Sequence, residues 1–296
     1  MLISVIVPTR NRKALLRQAL DSVAAQNAPG VEIETIVIDN GSTDGTLEML
    51  ATDYPGVLRL ASEERGSSPA RNAGMRAAKG EWFAFLDDDD VWLPGKIARC
   101  LSLSQEYPEA RCVWTAATVC DWRLTPLRKW TGPDLSHGPL TCAAFLRDSI
   151  TPSAILMHRD VYAKVGEFDP ALLRGQDLDY FCRAILAGFL FAAAPEEMVL
   201  YRLPERPTPQ TLYRSYIHIA PMTARYMEMD IPGRPSASER RALLRHVQGY
   251  YADQLIQASR TLRHDDGDAA REALILALRV SPLHALKSLL KSALPT

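Results

Sequence analysis

The chain has 296 residues, 47% of them apolar and 23% charged, enough to bury a large core as one domain or as one domain with an appendage. Its 34 basic and 35 acidic residues give a formal charge of −1, which leaves no overall electrostatic pull toward nucleic acid, and no apolar run approaches the roughly 20 residues of a membrane helix. The five cysteines, Cys100, Cys112, Cys120, Cys142 and Cys182, are scattered without a CxxC pair and read as reduced core thiols of a cytosolic protein.

Residues 1–10, MLISVIVPTR, lack a basic n-region and a cleavage site, so they read as a first strand rather than a signal peptide. That β-branched strand stops at Pro8 and passes into a polar turn, Thr9, Arg10, Asn11 and Arg12. Leu15, Leu16, Ala19, Leu20 and Val23 then recur at helical spacing until the break at Asn27, Pro29 and Gly30. Residues 33–38, IETIVI, form a second strand that delivers Asp39 and Asn40 into the turn GSTDGT. Strand, helix and strand with short links imply a right-handed parallel crossover, which sets Asp39 and the turn after Pro8 on one sheet edge. Neither strand is followed by GxGxxG or GxxxxGK[ST], which counts against a dinucleotide-dependent oxidoreductase and a P-loop enzyme. A third strand is predicted over 57–61. The helix after it, in SSPARNAGMRAAKG, carries Arg71 and Arg76. Arg71 lies in the first turns, where the helix dipole favours anions; it could hold a phosphate or an acidic turn, or pair as a surface arginine.

Residues 81–90, EWFAFLDDDD, carry the strongest chemical signal. Trp82, Phe83, Ala84, Phe85 and Leu86 suit a strand buried on both faces, and Asp87, Asp88, Asp89 and Asp90 emerge at its carboxyl end. Ligands of open α/β sheets bind at that end, and four adjacent carboxylates repel one another unless a cation or hydrogen-bond donors compensate them. Mn²⁺ or Mg²⁺ suits such oxygens, taking one or two protein carboxylates and leaving positions for water and substrate phosphate. The plainer alternative is a solvated acidic loop capping the helix that begins near Pro94.

Taken together, SVIVPTRNR, IVIDNGSTDGT and SSPARNAGMRAAKGEWFAFLDDDD closely resemble glycosyltransferase family 2 in wording, order and spacing, over about residues 1–205. The resemblance implies an α/β fold of the A type, a mostly parallel, Rossmann-like nucleotide-diphospho-sugar sheet flanked by helices. It further implies that Pro8, Thr9, Arg10 and Asp39 hold the base and ribose, with Arg71, Asp87 and Asp88 also at the nucleotide. In the family's D-x-D motif the first aspartate faces the ribose and the last binds the metal, which maps onto Asp87 and Asp89. Four identical residues also admit the register Asp88 and Asp90.

After the acidic run, Pro94 suits the first turn of a helix to about Tyr107, and 111–121 look like another strand. Residues 121–139 are irregular; Trp122 or Trp130 could stack on an acceptor sugar there, or pack in the core. Residues 151–168 give a strand and a short helix. Next, DPALLRGQDLDYFCRAILAGF resembles the family's second signature, an acidic pair opening a helix, with Gln176 in place of the usual glutamate and Asp177 mapping onto the catalytic base. Asp179 and Arg183 are four apart and read as an ion pair. PEEMVLYRLPERP supplies a last strand ending at Tyr201 and Arg202, where Leu203 and Pro204 stand in place of the histidine that many relatives carry. None of the six histidines, His137, His158 and His218 among them, shows metal spacing.

Residues 206–296 are expected to form a helical appendage, broken near Pro232 to Pro235, at His264 to Gly267, and at Ser281 and Pro282. The last segment, SPLHALKSLLKSAL, with Lys287 and Lys291 four apart, could rest on a membrane surface or pack on the core.

The expected activity is inverting transfer of a sugar from a nucleotide-diphosphate donor, a UDP- or dTDP-sugar, to a hydroxyl of a glycan or lipid-linked acceptor in cell-surface polysaccharide or glycolipid synthesis. Asp39 would accept the base N–H, Asp89 with Mn²⁺ or Mg²⁺ would bridge the phosphates, and Asp177 would take the acceptor proton without needing a large pKa shift. The expected place is the cytoplasm, or the inner face of the plasma membrane through the C-terminal helices. PTRNR is not the glycine-rich loop of a nucleotidyltransferase. A non-catalytic nucleotide-sugar-binding partner protein is the other reading, to which Gln176 and the missing histidine lend themselves.

Overall fold

The computed structural model describes residues 1–62, 64–136, 138–203, 208–228, 236–263 and 266–293. In the first third of the chain β1 (Leu2–Thr9), α1 (Lys13–Ala24), β2 (Glu32–Asp39), α2 (Thr46–Asp53), β3 (Leu58–Ala61), α3 (Ser67–Ala77) and β4 (Trp82–Phe85) alternate. The strands lie in the order β3-β2-β1-β4, all parallel. Thr9 pairs with Asp39, and Ile6 with Phe85, so the carboxyl ends of β1, β2 and β4 meet on one edge. The register follows from apolar runs that must bury both faces, here Ile3, Val5, Ile6 and Val7 beside Ile36, Val37 and Ile38. Helix α3 lies close upon them: a Cβ at Gly74 would meet Ile6 Cγ2 and would approach Ile38 Cδ1 to 2.9 Å. Glycine at that position lets α3, and Arg71 with it, approach the sheet.

Beyond β4 come β5 (Val91–Trp92), α4 (Lys96–Glu106), β6 (Ala110–Cys120), β7 (Pro126–Trp130), α5 (Cys142–Arg147), a 3₁₀ turn at Pro152–Ala154, β8 (Ile155–His158), α6 (Arg159–Val165), α7 (Gln176–Leu186) and β9 (Leu190–Arg202). The sheet continues β4-β8-β6-β9-β5, with β7 paired to β6. It is mixed in this half: β8 runs antiparallel to β4 and β6, while β6 and β9 are parallel. Because β8 is reversed, the turn before it, with Ser153, reaches the same edge as Asp87.

Strand β7 lies inside the stretch expected to be irregular. Its turn carries no glycine; Leu124 takes φ 65°, and Asp121 accepts hydrogen bonds from the N–H groups of Arg123 and Thr125 at 2.8 Å. As an exposed edge strand that starts at a proline and carries charge, PLRKW has neither apolar alternation nor a turn dipeptide to announce it.

The chain divides into two compact units. The first, Met1–Ala171 with Gln176–Leu203, is the sheet and its helices. The second, Leu172–Gly175 with Pro204–Thr296, contains α8 (Pro209–Glu228), α9 (Ala237–Leu262), α10 (Gly267–Val280) and α11 (Pro282–Ala293). Leu172–Gly175, expected within 1–205, thus goes with the helices. Those helices share a core of Leu212, Val247, Leu255, Ile256, Leu276 and Val280. Ala285 of α11 is buried in it, whereas Leu283 and Leu286 are exposed. No described helix is long and apolar enough to cross a membrane. The expected breaks near Pro232 to Pro235 and at His264 lie outside the described residues, as do His137, Pro204 and the side chain of Lys291. All five cysteines are buried and free.

Candidate functional site

The acidic run turns back on itself directly after β4, with Asp90 N–H bonded to Asp87 O at 3.0 Å. Burial alternates through the turn. The side chains of Asp87 and Asp89 are 28% and 15% exposed, that of Asp88 is 7%, and Asp90 is wholly buried. Each buried carboxylate is held internally. Asp88 accepts from Thr9 Oγ1 at 2.7 Å and Arg12 Nη1 at 2.9 Å. Asp90 accepts from Ser153 Oγ at 2.5 Å and Arg202 N–H at 3.1 Å. Asp87 and Asp89 are therefore the pair open to solvent. Asp88, expected beside the nucleotide, would act on a ligand only through Thr9 and Arg12, because both its oxygens are engaged beneath the surface.

The first turn supplies the counter-charge. Arg12 bridges Asp88 and Asp89, reaching Asp89 Oδ2 at 2.7 Å. Sequence reading passed over Arg12 in favour of Arg10, which is exposed and makes no hydrogen bond or ion pair among the described residues. Pro8 is buried in β1 opposite Ile38. Asp39 is 4% exposed at the end of β2 and accepts from Ser42 N–H at 3.0 Å and from its hydroxyl. Asn11 Oδ1 accepts from Thr43 N–H at 2.7 Å and Asp44 Oδ2 from Lys13 N–H at 2.9 Å. These cross-links clip the two turns together and keep Thr9 and Asp39 neighbours.

Arg71 is buried, 6% exposed, and donates from Nη2 to Asp87 Oδ1 at 2.5 Å; its Nε has no partner among the described residues. In this structure it holds the acidic turn. Asn72 exchanges two 2.8 Å hydrogen bonds with the backbone of Phe168, and Phe168 stacks on Tyr180 at 4.1 Å. That ladder ties α3 to α7, whose first turn carries Asp177. The carboxyl of Asp177 is pushed up by desolvation, pulled down by the charge of Arg71 and by N–H groups of the helix start, and raised again by Asp87. The low-dielectric surroundings thus disfavour its charged form, a shift that the role expected of Asp177 does not require. Asp179 and Arg183 form the expected i, i+4 ion pair at 2.8 Å.

Two residues that the sequence did not single out for the site, Ser153 and Arg202, shape the turn. Ser153 Oγ accepts from Asp87 N–H at 3.1 Å while donating to Asp90. Arg202, at the end of β9, donates to Asp89 O at 2.5 Å, Gln18 Oε1 at 2.6 Å and Trp122 O at 3.1 Å. The ring of Trp122 lies 5.9 Å from the Arg202 guanidinium and is 44% exposed, so it is not a core side chain. Trp130 packs edge-on to Tyr201 at 5.0 Å and donates to Ser149 O. The Tyr201 hydroxyl is driven far up by burial and by the nearby charges of Asp90, Asp87, Asp89 and Asp177. Ser153→Ala should cost about 1–3 kcal/mol, since it strips partners from Asp87 N–H and buried Asp90 together. Urea unfolding monitored by circular dichroism checks this, and an unchanged midpoint would contradict it.

Among the described residues no group of three or more His, Cys, Asp and Glu converges as a self-sufficient metal centre. His158 caps α6 and His284 pairs with Asp253 at 3.0 Å. A cavity of about 590 Å³ opens at the starts of β6 and β9, on the edge opposite the aspartates, and holds none of the expected site residues.

Comparison with known proteins bears on the family and the fold. The model of "Glycosyl transferase family 2" matches residues 4–166, over half of the chain. Succinoglycan biosynthesis protein ExoO of Rhizobium meliloti is 27% identical over 215 residues, covering 69% of this chain and 61% of that protein. The chain spans less than two thirds of the length of the curated relatives it matches first. Among solved structures, the mannosyltransferase PcManGT of Pyrobaculum calidifontis, in complex with GDP-Man and Mn²⁺, superposes with a TM-score of 0.60 at 21% identity, over 98% of this chain and 79% of that one. S. aureus TarS 1-349, in complex with UDP, gives 0.61 at 18% identity, over 95% and 81%. At those identities the likeness is one of fold.

Proposed function

Because this chain belongs to glycosyl transferase family 2, we propose that it transfers a sugar from a nucleotide-diphosphate donor to a hydroxyl acceptor with inversion, the donor lying over the edge formed by Thr9, Asp39 and the acidic turn. The observation that carries this reading is the place of Arg71, which is bonded to Asp87 and whose charge acts on Asp177, so that one buried cation links the open edge of the acidic run to the proposed base.

The donor set fits a hard divalent cation. Asp87 and Asp89 are two part-exposed carboxylates at the strand end, and burial, with Asp87 and Asp88 adding to it against the pull of Arg12, pushes the Asp89 carboxyl up to about 6. Asp89 would hold Mn²⁺ or Mg²⁺ with the donor diphosphate completing the shell, as suits ions that take few protein carboxylates. When bound, the ion supplies Lewis-acid stabilisation to the departing diphosphate. The chain's own residues do the rest. Asp39 and Thr9 border the base and ribose, Asp87 faces the ribose, and Asp177 takes the proton of the attacking hydroxyl. A single base with attack opposite the leaving group gives inversion. A raised pKa makes Asp177 a stronger base toward the acceptor hydroxyl.

The test is a thermal-shift panel of UDP-, dTDP-, GDP- and CDP-sugars with and without Mn²⁺, followed by assay of donor hydrolysis. One donor is expected to stabilise the fold in a Mn²⁺-dependent way, by about 2.7 kcal/mol at about 100 times its Kd. Slow metal-dependent hydrolysis of that donor is expected too. Binding with no hydrolysis would instead favour a non-catalytic partner protein. The Mn²⁺-dependent part of binding should weaken as pH falls through about 6, because the proton and the ion compete for Asp89. Calorimetry across that range checks it, and a flat profile would reject Asp89 as ligand.

A further inference from the structure

Just before α7 the chain makes a short excursion, Leu172–Gly175, that belongs to the helical unit. Gly175 has φ +72°, and a Cβ there would meet Ile219 Cγ1 at 3.1 Å and Met222 Cε at 3.3 Å. The loop therefore lies tight on α8 in a conformation that favours glycine. This sets Arg174 beside the face of α8 that carries Thr211, Arg214 and His218, spaced i, i+3 and i+7. With Leu173 these residues line a cavity of about 250 Å³.

Among the described residues no acidic side chain lines the cavity, and Arg174, Arg214 and His218 make no hydrogen bond or ion pair. Arg12, Arg17, Arg71, Arg76 and Arg183 each have a carboxylate partner. Two guanidinium groups beside one cavity without a counter-ion repel each other, and an oxyanion between them removes that cost. Their planar forks match phosphate oxygens, while Thr211 and His218 add donors of lower charge. Leu173, 70% exposed, gives the cavity an apolar rim.

We propose that this cavity binds a phosphate group, monoester or diester, carried by the acceptor. The word acceptor rests on the transferase reading above; the anion site does not.

The test uses the full chain and the variant carrying both Arg174→Gln and Arg214→Gln. Both replaced side chains are exposed, and retained Mn²⁺-dependent donor binding will report that the variant is folded. Inorganic phosphate and methyl phosphate should bind the wild type by calorimetry, and the double variant should lose about tenfold or more in affinity. Equal affinity in the two chains, or no phosphate binding by the wild type, would overturn the proposal. Phosphatidylcholine vesicles with and without phosphatidic acid separate the sources. Co-sedimentation that needs phosphatidic acid and both arginines assigns a lipid phosphate. Binding of methyl phosphate without vesicle binding assigns a soluble phosphorylated glycan. A wild type that binds phosphate but no nucleotide sugar would refute the transferase reading and leave the anion site standing.

Discussion

Asp177→Asn should lower turnover by about 10²- to 10⁴-fold while Mn²⁺-dependent donor binding stays within a factor of about two of wild type. The asparagine keeps the volume and the capacity to accept from the α7 N–H groups, and loses the ability to take a proton. Asp87 and Asp89 are left untouched, and Arg71 keeps its 2.5 Å bond to Asp87, so the donor side has no reason to change. The readouts are kcat from product formation and Kd for the nucleotide from calorimetry; a normal kcat would end the assignment. The pH profile is a second check. Asp177 works only when ionised, and desolvation raises its pKa, so activity should fall on the acid side at a pH above the ordinary carboxylate value of about 3.9. Arg71 pulls in the opposite sense, so Arg71→Met should move that acid limb to still higher pH.

The second large effect separates Asp89 from Asp90. Asp89→Ala removes the proposed metal ligand but leaves Arg202 holding the backbone carbonyl of residue 89, so the fold should persist while the Mn²⁺ contribution to donor binding disappears. Asp90→Ala should do the reverse. It leaves the Arg202 N–H and the Ser153 hydroxyl without their partner in a dry place, at a cost of about 1–3 kcal/mol, and Mn²⁺-dependent binding should survive in whatever remains folded. Calorimetry with and without Mn²⁺, beside urea unfolding, measures both. A metal effect that persists in Asp89→Ala and vanishes in Asp90→Ala would give the roles to the other register.

Much of the first unit was legible because its signals are local. The runs LISVIVP, IETIVI and WFAFL are mostly apolar, interrupted only by Ser4, Glu34 and Thr35, and a strand buried on both faces needs little more than that. Short links between them force parallel crossovers, which place Thr9, Asp39 and Asp87 on one edge. Strand β7 and helix α5 were not legible, since a charged edge strand and a six-residue helix bury too little to leave a periodic mark. Arg12 was passed over because nothing within the turn distinguishes it from Arg10; the difference lies in which of them faces the aspartates.

By itself, then, the sequence carried the resemblance to the family in its motifs, and its periodicity and short links determined the alternation of strands and helices up to β4 and the edge on which acidic chemistry gathers. Only the tertiary structure decided which of four identical aspartates face outward. That choice is made by Arg12, Ser153 and Arg202, which bond to the run from as far as 113 residues away and turn Asp88 and Asp90 inward. It also decided that Asp177 lies within the field of Arg71 and that two arginines line one cavity with no carboxylate among its described lining residues. Electrostatic partnership depends on distance in space, and for residues so far apart along the chain the order of letters carries no record of it.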